Sequence, residues 1–206
     1  MSATHTSSEP PTDTSRWLGP IYFSRPTSDH VALRVQSVRD APFDYPHVGA
    51  SANDMPEGWH HDEATAVVGH GEETWKAAKA ALRNWTQFDL EWVWPHDRTA
   101  PLQVGAPFAF TSRQLGMWSV NVCRIAYVID EEDTRFGFGY GTVGSHVVRG
   151  EELFLLHRDE QGAVHFTIRK FSLPAHPLVR VGLPFARRAQ RRFSIDALAR
   201  IVEESS

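Results

Sequence analysis

"RFGFGYGTVGSHVVRGEELF", residues 135–154, is the stretch on which the fold turns. Phe136, Phe138, Tyr140 and Thr142 alternate with Gly137, Gly139 and Gly141. That two-residue period belongs to a strand, with the aromatic set on one face and bare backbone on the other. Glycines in a strand let a ring, a helix or a ligand approach the main chain, and they let the strand bend. The stretch therefore reads as part of a curved wall. "GFGYG" also has the look of a dinucleotide fingerprint, but a sheet rather than a helix follows it, which excludes that chemistry.

Working outward, the same period recurs. FDLEWVW (88–94), VGAPFAFTSR (104–113), MWSVNVCRIAYVID (117–130), EELFLLHR (151–158) and VHFTIRKFS (164–172) read as strands. Short turns such as DEED (130–133) and DEQG (159–162) make antiparallel neighbours the economical topology. Upstream, HHDEATAVVG (60–69) reads as a further strand and HVALRVQSV (30–38) as a strand candidate. Two segments change period. In GHGEETWKAAKAALRNW (69–85), Trp75, Ala78, Leu82 and Trp85 recur at helical spacing, and Glu72 and Glu73 suit a helix N-terminus. After Pro174 and Pro177 a long helix is expected from Pro184 to Glu203. Its stripe of Ala186, Ala189, Phe193 and Ala197 opposes Arg187, Arg188, Arg191 and Arg192. Three alanines to one Phe fill space poorly, so large sheet residues must reach across or a cavity is left.

These elements predict an α+β domain: a curved antiparallel sheet of about six to seven strands wrapped around a long C-terminal helix. Residues 1–16 are Ser/Thr/Pro-rich and read as a disordered tail, 17–42 as an N-terminal extension, and 43–204 as the single domain. A net charge of −4 over 206 residues gives no electrostatic footprint for nucleic acid. The N-terminus lacks the basic and apolar regions of a secretory signal, and no apolar run is long enough to span a bilayer. One cysteine, Cys123, leaves no internal disulfide. A cytoplasmic protein without membrane contact is the expectation, and a homodimer is compatible with it.

Several motifs fail. There is no P-loop, no G-x-S-x-G, no H-E-x-x-H and no C-x-x-C. Cys123 lies in the alternating run VNVCRIAYV and reads as a small buried hydrophobe. His60, His61 and Asp62 are adjacent, so strand geometry points neighbouring side chains to opposite faces, where they do not readily share one ion, and no metal site is expected. What remains is His146 with Glu151 and Glu152. On a strand Glu152 shares a face with Phe154 and Leu156, and Glu151 with Leu153 and Leu155. A carboxylate on an internal face is desolvated and suits acid–base work near neutral pH; for Glu152 the alternative is a buried carboxylate satisfied by Arg124, Arg169 or a backbone amide near Gly150. His146 titrates near working pH without tuning.

The pieces "YPHVG" (45–49), "VGHG" (68–71), "GYGTVGSHVVRGEELF" (139–154), "FSLPAHP" (171–177) and "RRAQRRF" (187–193) resemble the uncharacterised protein family 0548 of bacteria and plants. The resemblance covers roughly Phe43 to Ile201, and 139–154 is its most specific part. The first forty residues depart from that pattern, as do the tryptophans at 85, 92, 94 and 118. The element order is also similar to the helix-grip, START-like fold, whose members hold hydrophobic small molecules between sheet and helix and include aromatic and polyketide cyclases. By that analogy the protein is expected to bind a polyketide- or terpenoid-like molecule and, without a cofactor, to catalyse cyclisation, dehydration or ketal closure. His146, Glu152, Glu151 and Tyr140 are the catalytic candidates. Trp85, Trp92, Trp94, Trp118, Phe138, Thr142, Phe154 and Phe193 are the ligand-binding candidates. A non-catalytic carrier or sensor is the alternative, and a scaffold docking through Arg187 and Arg191 a third reading.

Overall fold

The computed structural model describes residues 20–205 except Glu132 and Ser145. The expected disordered tail, 1–16, lies outside the described residues. The chain runs β1 (Ile21–Tyr22), α1 (Ser28–Ser37), β2 (His60–His70), α2 (Gly71–Arg83), β3 (Val93–Pro95), β4 (Pro107–Gln114) and β5 (Met117–Glu131). It continues through β6 (Arg135–Thr142), β7 (Val148–Arg158), β8 (Ala163–Pro174), α3 (Pro177–Val181) and α4 (Leu183–Glu204). Seven strands lie in the order β2-β8-β7-β6-β5-β4-β3, every pair antiparallel, and β1 adds two residues alongside β5. The α+β class and the antiparallel sheet around a C-terminal helix are therefore observed: this is the helix-grip fold.

The sheet carries two apolar clusters because its strands alternate. Phe138, Phe154, Phe166 and Ile168 face the helix side, where Trp75, Leu82, Phe193, Ala197 and Ile201 from α2 and α4 close over them. A smaller cluster joins Ala109, Val120 and Val122 of β4 and β5 to Val31 and Val38. Residues 30–38 are thus mostly helix rather than the strand expected. The physical reason is at the start of the segment: the Thr27 side chain accepts a hydrogen bond from the His30 amide, and Asp29 occupies the first turn. Val31, Val35 and Val38 then fall on one side of a helix. FDLEWVW also departs from a strand. Trp85 adopts a left-handed φ of 59°, a 3-10 turn follows over Thr86–Phe88, and only Val93–Pro95 pairs with β4. That turn drives Phe88 under α4, where it meets Phe193 at 5.4 Å.

The glycines of β6 admit rings on the outer face. A Cβ on Gly139 would lie 2.2 Å from the Tyr127 ring, and one on Gly141 would lie 2.0 Å from the Tyr45 hydroxyl. Among the described residues no helix is long and apolar enough to cross a membrane.

Candidate functional site

Antiparallel register builds the site one row at a time. Tyr140 of β6 sits opposite Glu152 of β7, Glu152 opposite Lys170 of β8, and Lys170 opposite Asp62 of β2. This row crosses four neighbouring strands on the face that meets α4. The Tyr140 hydroxyl donates to Glu152 Oε2, and Lys170 Nζ donates to Glu152 Oε1 at 3.1 Å. The same ammonium donates to Ser194 Oγ at 2.7 Å and to the Gln190 carbonyl at 3.1 Å, and lies 3.6 Å from Asp62 Oδ2. Its three protons are all engaged. The Lys170 side chain is 8% exposed and that of Glu152 12%. Burial, and after it the charge of Glu152, holds the Tyr140 phenol well above its ordinary value, so it stays protonated.

The row borders a cavity of about 510 Å³ between the sheet and the first half of α4. That size suits a drug-sized ligand. Trp92, Phe110, Met117, Trp118, Phe185 and Phe193 supply apolar lining. Ala186 and Ala189 face the same space, where the alanine stripe left room. Leu115, Val181 and Phe185 line it while exposed to solvent, which places the mouth between the β4–β5 turn and the junction of α3 and α4.

The candidates fall into three groups. Tyr140, Glu152, His146, Thr142, Trp92, Trp118 and Phe193 line the cavity. Trp85, Phe138 and Phe154 are sealed in the core beneath it, at most 1% exposed, so no ligand in this cavity reaches them. Trp94 stacks on Trp118 at 5.1 Å, with the Arg25 guanidinium 5.3 Å from its ring, and is absent from the lining. The Thr142 hydroxyl donates to Asp44 and accepts from the Gly150 amide, so it is engaged away from a ligand.

Glu151 borders the cavity but its carboxylate is held elsewhere. It accepts from the Tyr45 hydroxyl at 2.7 Å, the Gly49 amide at 2.7 Å, and the Ser51 amide and hydroxyl at 2.9 and 2.7 Å. These donors belong to the segment 45–51, which straps the outer face. Both carboxylates are therefore internal, one on each face, and Glu152 is satisfied by Tyr140 and Lys170 rather than by either arginine expected for it. Arg169 pairs with Glu63 at 2.9 Å, and Arg124 donates to the carbonyls of Val38 and Arg39.

His146 is not tuned to neutral pH. Burial lowers it to about 4, and the backbone carbonyl of Val148 only partly opposes that shift. Its Nδ1 lies 2.7 Å from that carbonyl and its Nε2 lies 3.8 Å from Cys123 Sγ. Burial also pushes the Cys123 thiol well up. The pair is neutral at pH 7, not a thiolate–imidazolium couple. No hydrogen bond joins His146 to Glu152 among the described residues, and no three metal-ligating side chains gather there.

Lys170 escaped the sequence reading, although a signal was present. Folding EELFLLHR back on VHFTIRKFS about DEQG sets Glu152 opposite Lys170, and alternation puts Lys170 on the face of Phe166 and Ile168.

Fold and site define a helix-grip domain with a helix-covered cavity. The chain belongs to a family of uncharacterised proteins: residues 44–200 match "Domain of unknown function (DUF1990)". A UPF0548 protein of Deinococcus radiodurans is 40% identical over 81% of this chain and 89% of its own. One of Dictyostelium discoideum is 36% identical over 66% of this chain and 68% of its own. Among solved structures, hypothetical protein jhp0584 from Helicobacter pylori shares the fold, with a TM-score of 0.52 at 10% identity over 80% of this chain and 96% of that one. A shallower likeness, TM-score 0.48 at 14% identity over 71% and 93%, is to the Zhui aromatase/cyclase from Streptomyces sp. R1128.

Proposed function

We propose that the protein binds a small hydrophobic molecule between the sheet and α4. The observation that carries this reading is the cavity itself: about 510 Å³ of mostly aromatic and aliphatic lining with a mouth at the protein surface. Protein interiors are close-packed, and an open volume of this size leaves its walls without dispersion partners. A bound apolar molecule restores those contacts.

The test uses the neutral dye Nile red as probe. Saturable binding with a blue-shifted emission is the expected result, lost in Ala189→Trp, whose indole fills the space beside Phe193. Ala186→Phe serves as a second filled variant, and thermal melts confirm that both are folded. Undiminished binding in both folded variants would place the dye elsewhere and overturn the reading.

A second reading, a cofactor-free acid–base step such as cyclisation or dehydration, is favoured by one observation. Tyr140 and Glu152 share a proton-bearing contact at the cavity wall. A ligand carbonyl or hydroxyl placed there meets a protonated phenol backed by a carboxylate, the arrangement general acid–base catalysis needs. His146, neutral and held by its own loop, contributes shape and a hydrogen-bonding edge to that reading. Glu152→Gln keeps the fold and the binding but stops turnover if the step exists; a carrier keeps its only activity, binding, in the same variant.

A further inference from the structure

Several polar side chains at the cavity wall are satisfied by the protein itself. Tyr140, Glu152 and Lys170 engage one another, and Thr142 and Glu151 are held by partners away from the space. Asn121 of β5 is different. Its neighbours Val120 and Val122 belong to the outer cluster with Val31 and Val38. Alternation therefore turns Asn121 to the face that meets α4, where it lines the cavity at 2% exposure. One N–H of its amide donates to Ser119 Oγ at 2.9 Å. The other N–H and the Oδ1 acceptor have no partner among the described residues.

Two serines extend the arrangement. Ser119 stands opposite Ser112 of β4, and their hydroxyl oxygens lie 2.8 Å apart. Both residues line the cavity, and Ser112 is buried. Whichever of the two donates, one hydroxyl proton is left without an acceptor among the described residues. Buried polar atoms of side chains are ordinarily bonded. This part of the wall thus offers an acceptor beside two donors, and none of its three residues carries charge. It is also separate from the charged row. Asn121 lies four positions along β5 from Ile125, the partner of Tyr140, which at the rise of a strand is about 13 Å.

We infer that the ligand is a neutral apolar molecule bearing a hydroxyl group, which bonds to the Asn121 amide and the Ser112–Ser119 pair. The inference rests on the hydrophobic-ligand reading above and names the chemical class. A hydroxyl both donates and accepts: its proton goes to Asn121 Oδ1, and its lone pairs receive the free amide and serine protons. An ether or a ketone accepts but leaves Oδ1 unpaired, and a carboxylate sets a negative oxygen against it. A site built to bond a hydroxyl rejects analogues without one, because its buried polar groups are then left without partners. The apolar body extends from there past Phe110 toward Phe193.

The test compares decanol with decyl methyl ether, which caps the O–H with a methyl group, by displacement of Nile red. The quantity read is the ratio of the two affinities in the wild-type protein and in Asn121→Leu, a near-isosteric apolar replacement. Asn121→Leu should lower the preference for the alcohol about tenfold and leave the ether within about twofold. Ser119→Ala, which frees the amide from the hydroxyl that orients it, should lower the preference by a smaller factor, and thermal melts confirm that both variants are folded. An unaltered ratio in folded Asn121→Leu, or displacement of the dye by neither compound, would overturn the inference. The cavity reading would still stand on Nile red binding and its loss in Ala189→Trp. If the dye itself fails to bind the wild-type protein, that reading falls and this inference with it.

Discussion

Glu151 and Glu152 are adjacent in sequence and buried on opposite faces of one strand, and their surroundings differ in kind. On the outer face, four hydrogen bonds from the strap 45–51 converge on Glu151, and Tyr45 and Tyr127 fill the space above Gly141 and Gly139. On the helix-facing side, Glu152 joins a row of alternating charge and opens onto a cavity of about 510 Å³. Burial of a carboxylate therefore does not mark a site. What separates the two is whether anything remains to be filled once the carboxylate is satisfied.

The largest effect that tests this contrast is on the closed side. Glu151→Ala leaves the Tyr45 and Ser51 hydroxyls and two amides without their acceptor, at a cost of about 4 kcal/mol in urea unfolding. Nile red affinity of the remaining folded protein should stay within about twofold. A loss of affinity comparable to that of Ala189→Trp would show that the two faces are not independent.

Lys170→Met comes next. It removes the cation between two acids, and an uncompensated Glu152 should cost about 3 kcal/mol. Here dye binding should fall as well, because Glu152 and the Ser194 hydroxyl lose their common partner at the cavity wall. Stability loss with unaltered binding would make the row a purely structural ladder.

The smallest effect is a pH dependence on the open side. His146 binds its proton at about 4 in the folded protein and near 6.5 when unfolded. The unfolded state therefore binds more protons between those values, and stability falls as pH drops below 6.5 until it levels off near 4. Between pH 7 and 5 the loss amounts to about 2 kcal/mol by linkage. His146→Gln should remove that part of the slope, and an unchanged slope would show that the imidazole is accessible to water.

The sequence made the frame legible because most of the frame is periodic. Alternation identified six of the long and short strands, and the alanine stripe of α4 announced space beside it. Three things escaped. The helix at 28–37 escaped because its valines favour strands by propensity, while a single threonine cap decided otherwise. Lys170 escaped because a lysine in an alternating run is ordinarily taken for the solvent face. The role of Glu151 escaped because its partners sit in an aperiodic Pro/Gly segment 100 residues away, with no local pattern to point to them.

The position of β2 also governs the order in which this chain is able to fold. Its partner along its full length is β8, and the paired threonines 65 and 167 stand 102 residues apart. A strand made early must wait for one made late. At a synthesis rate of about 5–20 residues per second that wait lasts on the order of 5–20 s on a ribosome. During it the amphipathic α2 and the unpaired edge of β2 have nothing of their own to cover them. Non-local pairing of this kind slows folding and leaves a sticky nascent chain, so newly made protein should depend on chaperones far more than the finished domain does.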